Sequence, residues 1–208
     1  MPGGLDKNLK ILPHYIKEAG YSAHMVGKWH LGQAHEYDMP WNKGFDTFLG
    51  FLEAQTDNFS HKMSGKWPHK IHTLRDHNGP VWKPGTYITN IFTNQTIDIL
   101  NNSTKPSFTY LAYNAPHLPH SAPKWALEHL KTLPHHAKGS KAASQYFGSI
   151  KALDSDLKLL WESAKKLERE TIFIFSSDNG GAAPGCNHPY RGWKSKPEEG
   201  GIRIGQPK

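Results

Sequence analysis

The chain has 208 residues, a single cysteine and a formal net charge of +7 with its 14 histidines counted as neutral. This length can bury a sizeable core, and the lone Cys186 excludes both an intrachain disulfide framework and a cysteine-rich zinc site. The positive charge favours anionic partners, but the basic residues are scattered and form no stripe interleaved with aromatics, which argues against nucleic-acid binding.

The chain shows no pattern of a membrane span or an export signal. No apolar run approaches the roughly 18 residues that a span requires, and the N-terminal MPGGLDKNLK has no apolar h-region. We therefore expect a soluble chain whose signal peptide, if it is exported, lies outside this sequence.

The predicted elements alternate between helices and apolar strands. LPHYIKEAG predicts a helix that ends at Gly20, and SAHMVGKWH predicts a short strand. Residues 33–86, rich in Gly, Pro, Asn, His and Trp, predict long irregular connections. TNIFTNQTIDILNN predicts a helix, SFTYLAYNAPH a buried strand, SQYFGSIKALDSDLKLLWESAKKL a long helix and TIFIFSSDNGG a last buried strand.

This alternation predicts an α/β fold. Apolar strands between helices are typical of a mostly parallel sheet with helices on both faces. In such folds ligands gather just beyond the carboxyl ends of the strands.

The residues after TIFIF are candidate metal ligands. Asp178 and Asn179 pair a carboxylate with an amide oxygen, which suits Ca²⁺ or Mg²⁺ better than zinc. The alternative is that Asp-Asn-Gly-Gly is only a turn.

Two other strand ends carry cationic or titratable side chains. His117 and His120 follow SFTYLAYN, where they are either solvated or functional. Lys28 and His30 would share one face of an extended strand, with Trp29 packed on the other. A lysine beside an imidazole suits a site that holds an oxyanion and moves a proton, although an exposed face of an edge strand would look the same.

Several separated segments resemble the sulfatase family, and most of all its arylsulfatase B (N-acetylgalactosamine-4-sulfatase) group. They are GYSAHMVGKWHLG, the histidine of NAPHLPH, FIFSSDNGG and the lysine of RGWKSKPEEGGIR, in the family's order. The resemblance implies an alkaline-phosphatase-like α/β core and hydrolysis of sulfate esters of sulfated sugars, glycosaminoglycans or aryl sulfates.

The resemblance also implies roles for individual residues. Asp178 and Asn179 match two ligands of the family's Ca²⁺, and Lys28 and Lys194 match lysines that contact the sulfate. His30 matches a histidine that assists the nucleophile, and His117 matches one that binds sulfate and protonates the leaving oxygen. Lys196 is close enough in sequence to compete with Lys194 for its assignment.

The family's nucleophile motif does not occur in these residues. Sulfatases use a formylglycine made from the cysteine of C-x-P-S-R, whereas Cys186 lies in APGCNHPY. The paired aspartates that complete the calcium site are also absent. We therefore expect residues 1–208 to be a partial sulfatase catalytic domain between an N-terminal nucleophile segment and a C-terminal subdomain, with an incomplete Ca²⁺ ligand set and little or no turnover alone.

Three other functions stay open. They are a phosphoester hydrolase of the same superfamily, a non-catalytic protein that binds sulfated glycans, and a zinc protein built on His69 with His72 or His117 with His120. The oligomeric state is also open.

The family implies a lysosomal or extracellular location. Four N-glycosylation sequons, at Asn58, Asn94, Asn101 and Asn102, agree with passage through the secretory pathway.

Overall fold

The computed structural model describes residues 3–63, 71–133 and 140–204. The chain forms two compact units, Met1–Leu167 and Glu168–Lys208.

The first unit is built on a mostly parallel sheet. Its strands are β1 (Ser22–Lys28), β2 (Thr47–Phe51), β3 (Arg75–Asp76) and β4 (Ser107–Ala112), in the order β3-β2-β1-β4. β1 is parallel to both β2 and β4, and β3 is antiparallel to β2. The predicted α/β class and the strand at SAHMVGKWH are confirmed.

In its described residues this unit has four α-helices: α1 (Leu12–Glu18), α2 (Ile88–Asn102), α3 (Lys124–Lys131) and α4 (Lys141–Ala164). α1 ends just before Gly20, whose φ of 87° is a left-handed conformation that favours glycine. α2 packs on the sheet, and α4 packs on α2 and α3. Three of the four were predicted, and only α3 was missed.

The sheet is covered on both faces, as predicted. On one face Val26 and Phe51 pack with Ile88 and Phe92 of α2. On the other, alternate strand residues including Met25 and Phe48 pack with Trp29, Phe45, Leu52 and the partly buried Ile11 and Ile16 at α1. The division follows the two-residue alternation of a strand.

The prediction for residues 33–86 was wrong in part. Residues 64–70 of this segment lie outside the described residues, and the rest of it holds β2 and β3 and two short 3₁₀ helices, Glu36–Asp38 and Pro40–Lys43. β2 is only five residues long, and turn-forming residues flank it, so its local sequence resembles a loop. Its position beside β1, which supplies a ladder of backbone hydrogen bonds, makes it a strand.

β4 forms where it was predicted, but it is not fully buried. It pairs with β1 and is the outermost strand on that side of the described sheet, and Tyr110 is exposed. An apolar run indicates a strand, but the burial of that strand depends on what covers it.

The predicted strand at TIFIFSSDNGG is wrong for the described residues. No regular structure is assigned between Thr171 and Ser177, and Ile172 and Ile174 are 88% and 89% exposed. Such a run becomes a strand only where a neighbouring strand pairs with its backbone, and no such pairing is present in the described part of the second unit.

The second unit is a glycine-rich turn packed on itself, with a short helix, α5 (Glu199–Ile202). The amide of Gly180 donates to the carbonyl of Gly201, and a side chain on Gly180 would overlap the carbonyl oxygen of Gly200. Gly180, the first glycine after Asp178 and Asn179, therefore permits a close approach to the backbone of Gly200 and Gly201.

Candidate functional site

The first group of candidate residues lies at the carboxyl end of the parallel strands. Lys28 is the last residue of β1 and is half-buried. The backbone pairing continues past it, because the amides of Trp29 and His30 donate to the carbonyls of Phe51 and Leu52. The end of β1 is thus fixed against the end of β2.

Trp29 is the packed residue of this segment, as expected. It is buried, and its indole N–H donates to the carbonyls of Gly32 and Asp38 at 3.1 and 2.9 Å. His30 is exposed and has a φ of 52°, so the chain leaves the extended conformation there. The simple alternation that predicted one shared face for Lys28 and His30 therefore holds only up to the end of the strand.

His117 lies in the loop after β4, which is the parallel neighbour of β1. Its amide donates to the carbonyl of Asn114 at 2.7 Å, and its Nδ1 lies 2.8 Å from the carbonyl oxygen of Leu118. A carbonyl oxygen only accepts, so Nδ1 is the protonated nitrogen in this contact. The ring is thereby oriented by the backbone of its own loop.

A buried pair of asparagines holds this loop. Asn114 donates from Nδ2 to Oδ1 of Asn58 at 2.6 Å, and Asn58 donates from its own Nδ2 to the carbonyl and the hydroxyl of Ser121. The two ends of the His117 loop are therefore tied to one side chain from a distant segment. Sequence reasoning misses this role, because the only local pattern that Asn58 belongs to is a sequon.

Glu53 is a further residue at this edge that sequence reasoning missed. It follows the end of β2, and its carboxylate accepts a hydrogen bond from the amide of Leu52 at 3.1 Å. Burial raises its pKa, while backbone hydrogen bonds and Arg75 lower it. The only signal in the sequence is its position after TFLGF, which was not predicted as a strand.

The edge thus brings together the segments after three strands. Lys28 and His30 come from the end of β1, Glu53 from β2 and His117 from β4. A fixed cation, titratable imidazoles and a half-buried carboxylate at one sheet edge can bind an oxyanion and transfer a proton.

The second group of candidate residues lies in the second unit. Asp178 is exposed and Asn179 is half-buried. The amide of Lys194 donates to the carbonyl of Gly181 at 3.1 Å, and the side chain of Asn187 bonds to both the amide and the carbonyl of Gly181. The turn that carries Asp178 and Asn179 and the backbone of Lys194 are therefore held together.

Lys194 and Lys196 differ in their surroundings. Lys194 is half-buried, whereas Lys196 is exposed and its Nζ lies 5.9 Å from the centre of the Trp193 ring. A cation placed over an aromatic face is already engaged there, so Lys194 is the better candidate for an anion contact.

Asp178 and Asn179 are hard oxygen donors of the kind that Ca²⁺ prefers, but they are two ligands where Ca²⁺ takes six to eight. Within the described residues no group of three or more His, Cys, Asp or Glu side chains could hold a metal ion. These residues fit part of a calcium site and do not complete one.

The zinc alternative gains no support. His69 lies outside the described residues. His117 and His120 belong to no group of three or more His, Cys, Asp or Glu side chains that could hold a metal ion in the described part of the chain. Among the described helices, none is long and apolar enough to cross a membrane.

Comparisons with known proteins agree on one family. The Sulfatase family model matches residues 2–205. Arylsulfatase J of Mus musculus is 36% identical over 211 residues, which cover 98% of this chain and 34% of that protein. N-acetylgalactosamine-6-sulfatase of Homo sapiens is 28% identical over 226 residues, covering 97% of this chain and 39% of that protein.

A solved structure shows the same fold. The crystal structure of Ps i-CgsB in complex with k-i-k-neocarrahexaose has a TM-score of 0.84 and 26% identity, covering 98% of this chain and 48% of that one. The chain spans between about a third and a half of the length of the proteins it matches. The family match over nearly all residues, with the parallel sheet and the polar groups at its carboxyl edge, shows that this chain belongs to the sulfatase family.

Proposed function

We propose that these 208 residues form the central part of a longer sulfatase domain, and that the whole protein hydrolyses sulfate esters. The observation that carries the proposal is the position of Lys28 and His117, at the carboxyl ends of two adjacent parallel strands in a member of the sulfatase family. The names of the relatives, an arylsulfatase and an N-acetylgalactosamine-6-sulfatase, support the reaction class.

Each residue is assigned the part of the reaction that suits its chemistry. The ammonium groups of Lys28 and Lys194 bind the sulfate oxygens and stabilise the charge that develops on them. His117 binds sulfate and donates a proton to the leaving oxygen of the alcohol, and the carbonyl of Leu118 keeps its ring oriented. His30 assists the nucleophile.

The nucleophile itself is not supplied by these residues. C-x-P-S-R, from which the family makes its formylglycine, does not occur in the 208 residues, and Cys186 is exposed in a different sequence context. We infer that residues 1–208 alone turn over little or no sulfate ester.

We propose Ca²⁺ as the metal of the complete enzyme, with Asp178 and Asn179 as two of its ligands. When bound, the ion would supply positive charge next to the sulfate. The exposed carboxylate of Asp178 agrees with a ligand whose partners come from elsewhere in the protein.

We propose a sulfated sugar or glycosaminoglycan as substrate and a lysosomal or extracellular location. A carbohydrate substrate is supported by N-acetylgalactosamine-6-sulfatase and by the neocarrahexaose in the Ps i-CgsB crystal. The net charge of +7 suits a polyanionic partner.

The test is the hydrolysis of an aryl sulfate and of sulfated N-acetylgalactosamine by the full-length protein. We expect turnover, with kcat/KM reduced at least roughly 100-fold in Lys28→Ala and in His117→Ala because each loses transition-state stabilisation. Lys158→Ala, which removes an exposed lysine of α4, is the matched control and should leave kcat/KM unchanged.

Other outcomes would point to the alternatives. Preference for an aryl phosphate with Lys28→Ala still active would favour a phosphoester hydrolase. Binding of a sulfated oligosaccharide without turnover by the full-length protein would favour a glycan-binding protein. Steady turnover by residues 1–208 alone would overturn the inferred need for a nucleophile outside them.

A further inference from the structure

The four sequons differ sharply in their structural setting. Asn58 is 2% exposed, whereas Asn94, Asn101 and Asn102 are all exposed on α2. Because a glycan must project into solvent from the folded protein, the fold separates one incompatible site from three compatible ones.

The side chain of Asn58 has no room for a sugar. Its Nδ2, the atom that a glycan would modify, donates to the hydroxyl and the carbonyl of Ser121 at 2.9 and 3.2 Å. Its Oδ1 accepts from Asn114 at 2.6 Å. A glycan on Nδ2 would remove a buried hydrogen-bond donor and place a polar chain in the interior, at a large cost in stability.

The other three asparagines lie along the exposed side of one helix. Asn94, Asp98 and Asn101 or Asn102 follow one another at spacings of about four residues, so they form one exposed stripe. The opposite side of α2 is buried in the core through Ile88, Phe92 and Ile99. Glycans on this stripe would leave the packing of α2 unchanged.

The stripe ends far from the candidate site. Asn102, Ser103 and Lys105 line a hollow of about 390 Å³ together with Ser22 and His24, which begin β1. Lys28 ends the same strand, and seven residues of strand span roughly 20 Å. A glycan at the end of α2 would therefore leave the carboxyl edge of the sheet open to a substrate.

We propose that α2 is the glycosylated face of this protein, with one N-linked glycan on Asn94, one on the overlapping pair Asn101 and Asn102, and none on Asn58. Glycans on two adjacent residues would collide, so the pair carries one. This proposal rests on the secretory location proposed above.

The reaction requires an oligosaccharide joined to a lipid diphosphate as donor. The side-chain amide nitrogen of asparagine forms a bond to C1 of the first sugar, and the bond from C1 to the diphosphate oxygen breaks. The lipid diphosphate leaves with the bonding electron pair, and the amide nitrogen loses one proton to a base of the transferase.

The test is to direct the natural chain through the secretory pathway of eukaryotic cells and to map the secreted, folded protein. Removing the glycans with an amidase in heavy-oxygen water converts each occupied asparagine to a labelled aspartate, which peptide mass spectrometry locates. We expect label at Asn94 and at one of Asn101 and Asn102, and none at Asn58.

Sequon variants give a second readout, the mobility of the secreted protein on a gel. Asn94→Gln should remove one glycan. Ser103→Ala destroys only the Asn101 sequon and Thr104→Ala only that of Asn102, so each single variant should keep the second glycan and the double variant should lose it.

A glycan on Asn58 of the folded protein, or none on α2, would overturn the proposal. The Asn58 result comes from the wild-type chain and does not depend on a variant that folds. A third outcome is that the directed chain is glycosylated on α2 but the endogenous protein carries no glycan. This would show that the acceptor sites are right and that the proposed secretory location is wrong.

Discussion

Asn114 donates a hydrogen bond of 2.6 Å to Asn58, and both side chains are buried. The two residues are 56 positions apart in the sequence. Through this contact, the segment before α2 positions the loop that carries His117. Asn58 also accepts, with its backbone carbonyl, a hydrogen bond from the amide of Ile88, so one residue connects the start of α2 to the candidate site.

Asn58→Ala should lower the free energy of unfolding by about 2–3 kcal/mol, because it leaves the buried Nδ2 of Asn114 without its acceptor. Asn101→Ala, at an exposed position of α2, is the control and should change the free energy of unfolding by less than about 0.5 kcal/mol. Urea unfolding followed by tryptophan fluorescence measures both. Equal effects of the two substitutions would contradict the structural role of the pair.

Gly27→Ala should destabilise the protein by at least about 3 kcal/mol. The backbone at Gly27 has a φ of 112°, and a Cβ there would overlap the carbonyl oxygen of Ala112. Gly85→Ala is a matched control, since Gly85 has a φ of 84° but no atom within 4 Å of a Cβ. Its cost is expected to be about 1 kcal/mol, from backbone strain alone. If thermal unfolding shows the same loss of stability for Gly27→Ala and Gly85→Ala, the close approach of β1 and β4 at Gly27 is wrong.

Asp156→Asn should stabilise the protein at pH 7 by about 1–3 kcal/mol. Burial raises the pKa of Asp156 to about 6, although the hydrogen bond from Asn90 opposes the shift. The folded state thus holds a proton that the unfolded state releases above about pH 4. The protonated side chain of Asp156 therefore contributes to stability at low pH, and this contribution is lost as the pH rises from about 4 through 6.

The measurement for Asp156→Asn is urea unfolding from pH 4.5 to 7.5. The substitution should flatten the decline in stability over the lower part of that range. Asp154→Asn, at an exposed position of the same helix, should keep the wild-type profile. A wild-type profile in Asp156→Asn would contradict the prediction.

His61 should make the protein less stable in acid. Burial lowers its pKa below the ordinary value near 6.5, so below that pH the unfolded state binds a proton that the folded state resists. This loss of stability in acid is best measured in an Asp156→Asn background, because the carboxyl group of Asp156 changes the stability with pH in the opposite direction. There, His61→Gln should reduce the slope of stability between pH 6.5 and 5, and the exposed-site control His77→Gln should leave it unchanged. Equal slopes in the two histidine variants would count against His61 as the group responsible.

Asp178→Ala should weaken calcium binding by the full-length protein at least roughly tenfold, because calcium affinity depends on ligand number and charge. Isothermal titration calorimetry with Ca²⁺ measures this without any assay of activity. Asp154→Ala removes an exposed carboxylate elsewhere and should leave Kd unchanged. An unchanged Kd in Asp178→Ala would remove that residue from the proposed ligand set.

The sequence by itself determined the α/β class, the family and the places where polar residues follow apolar segments. Helical spacing predicted α4, and the buried Trp29 between Lys28 and His30 follows from strand alternation. These features are local, because a period of two or 3.6 residues is written into a few consecutive positions.

Only the tertiary structure decided which segments become strands and which side chains meet. TFLGF is a strand because β1 lies beside it, whereas the more apolar TIFIF lacks a strand partner in the described part of its unit. The Asn58–Asn114 hydrogen bond and the position of Glu53 at the sheet edge likewise depend on contacts between distant segments. Backbone pairing and burial come from neighbours in space, and a local pattern does not specify those neighbours.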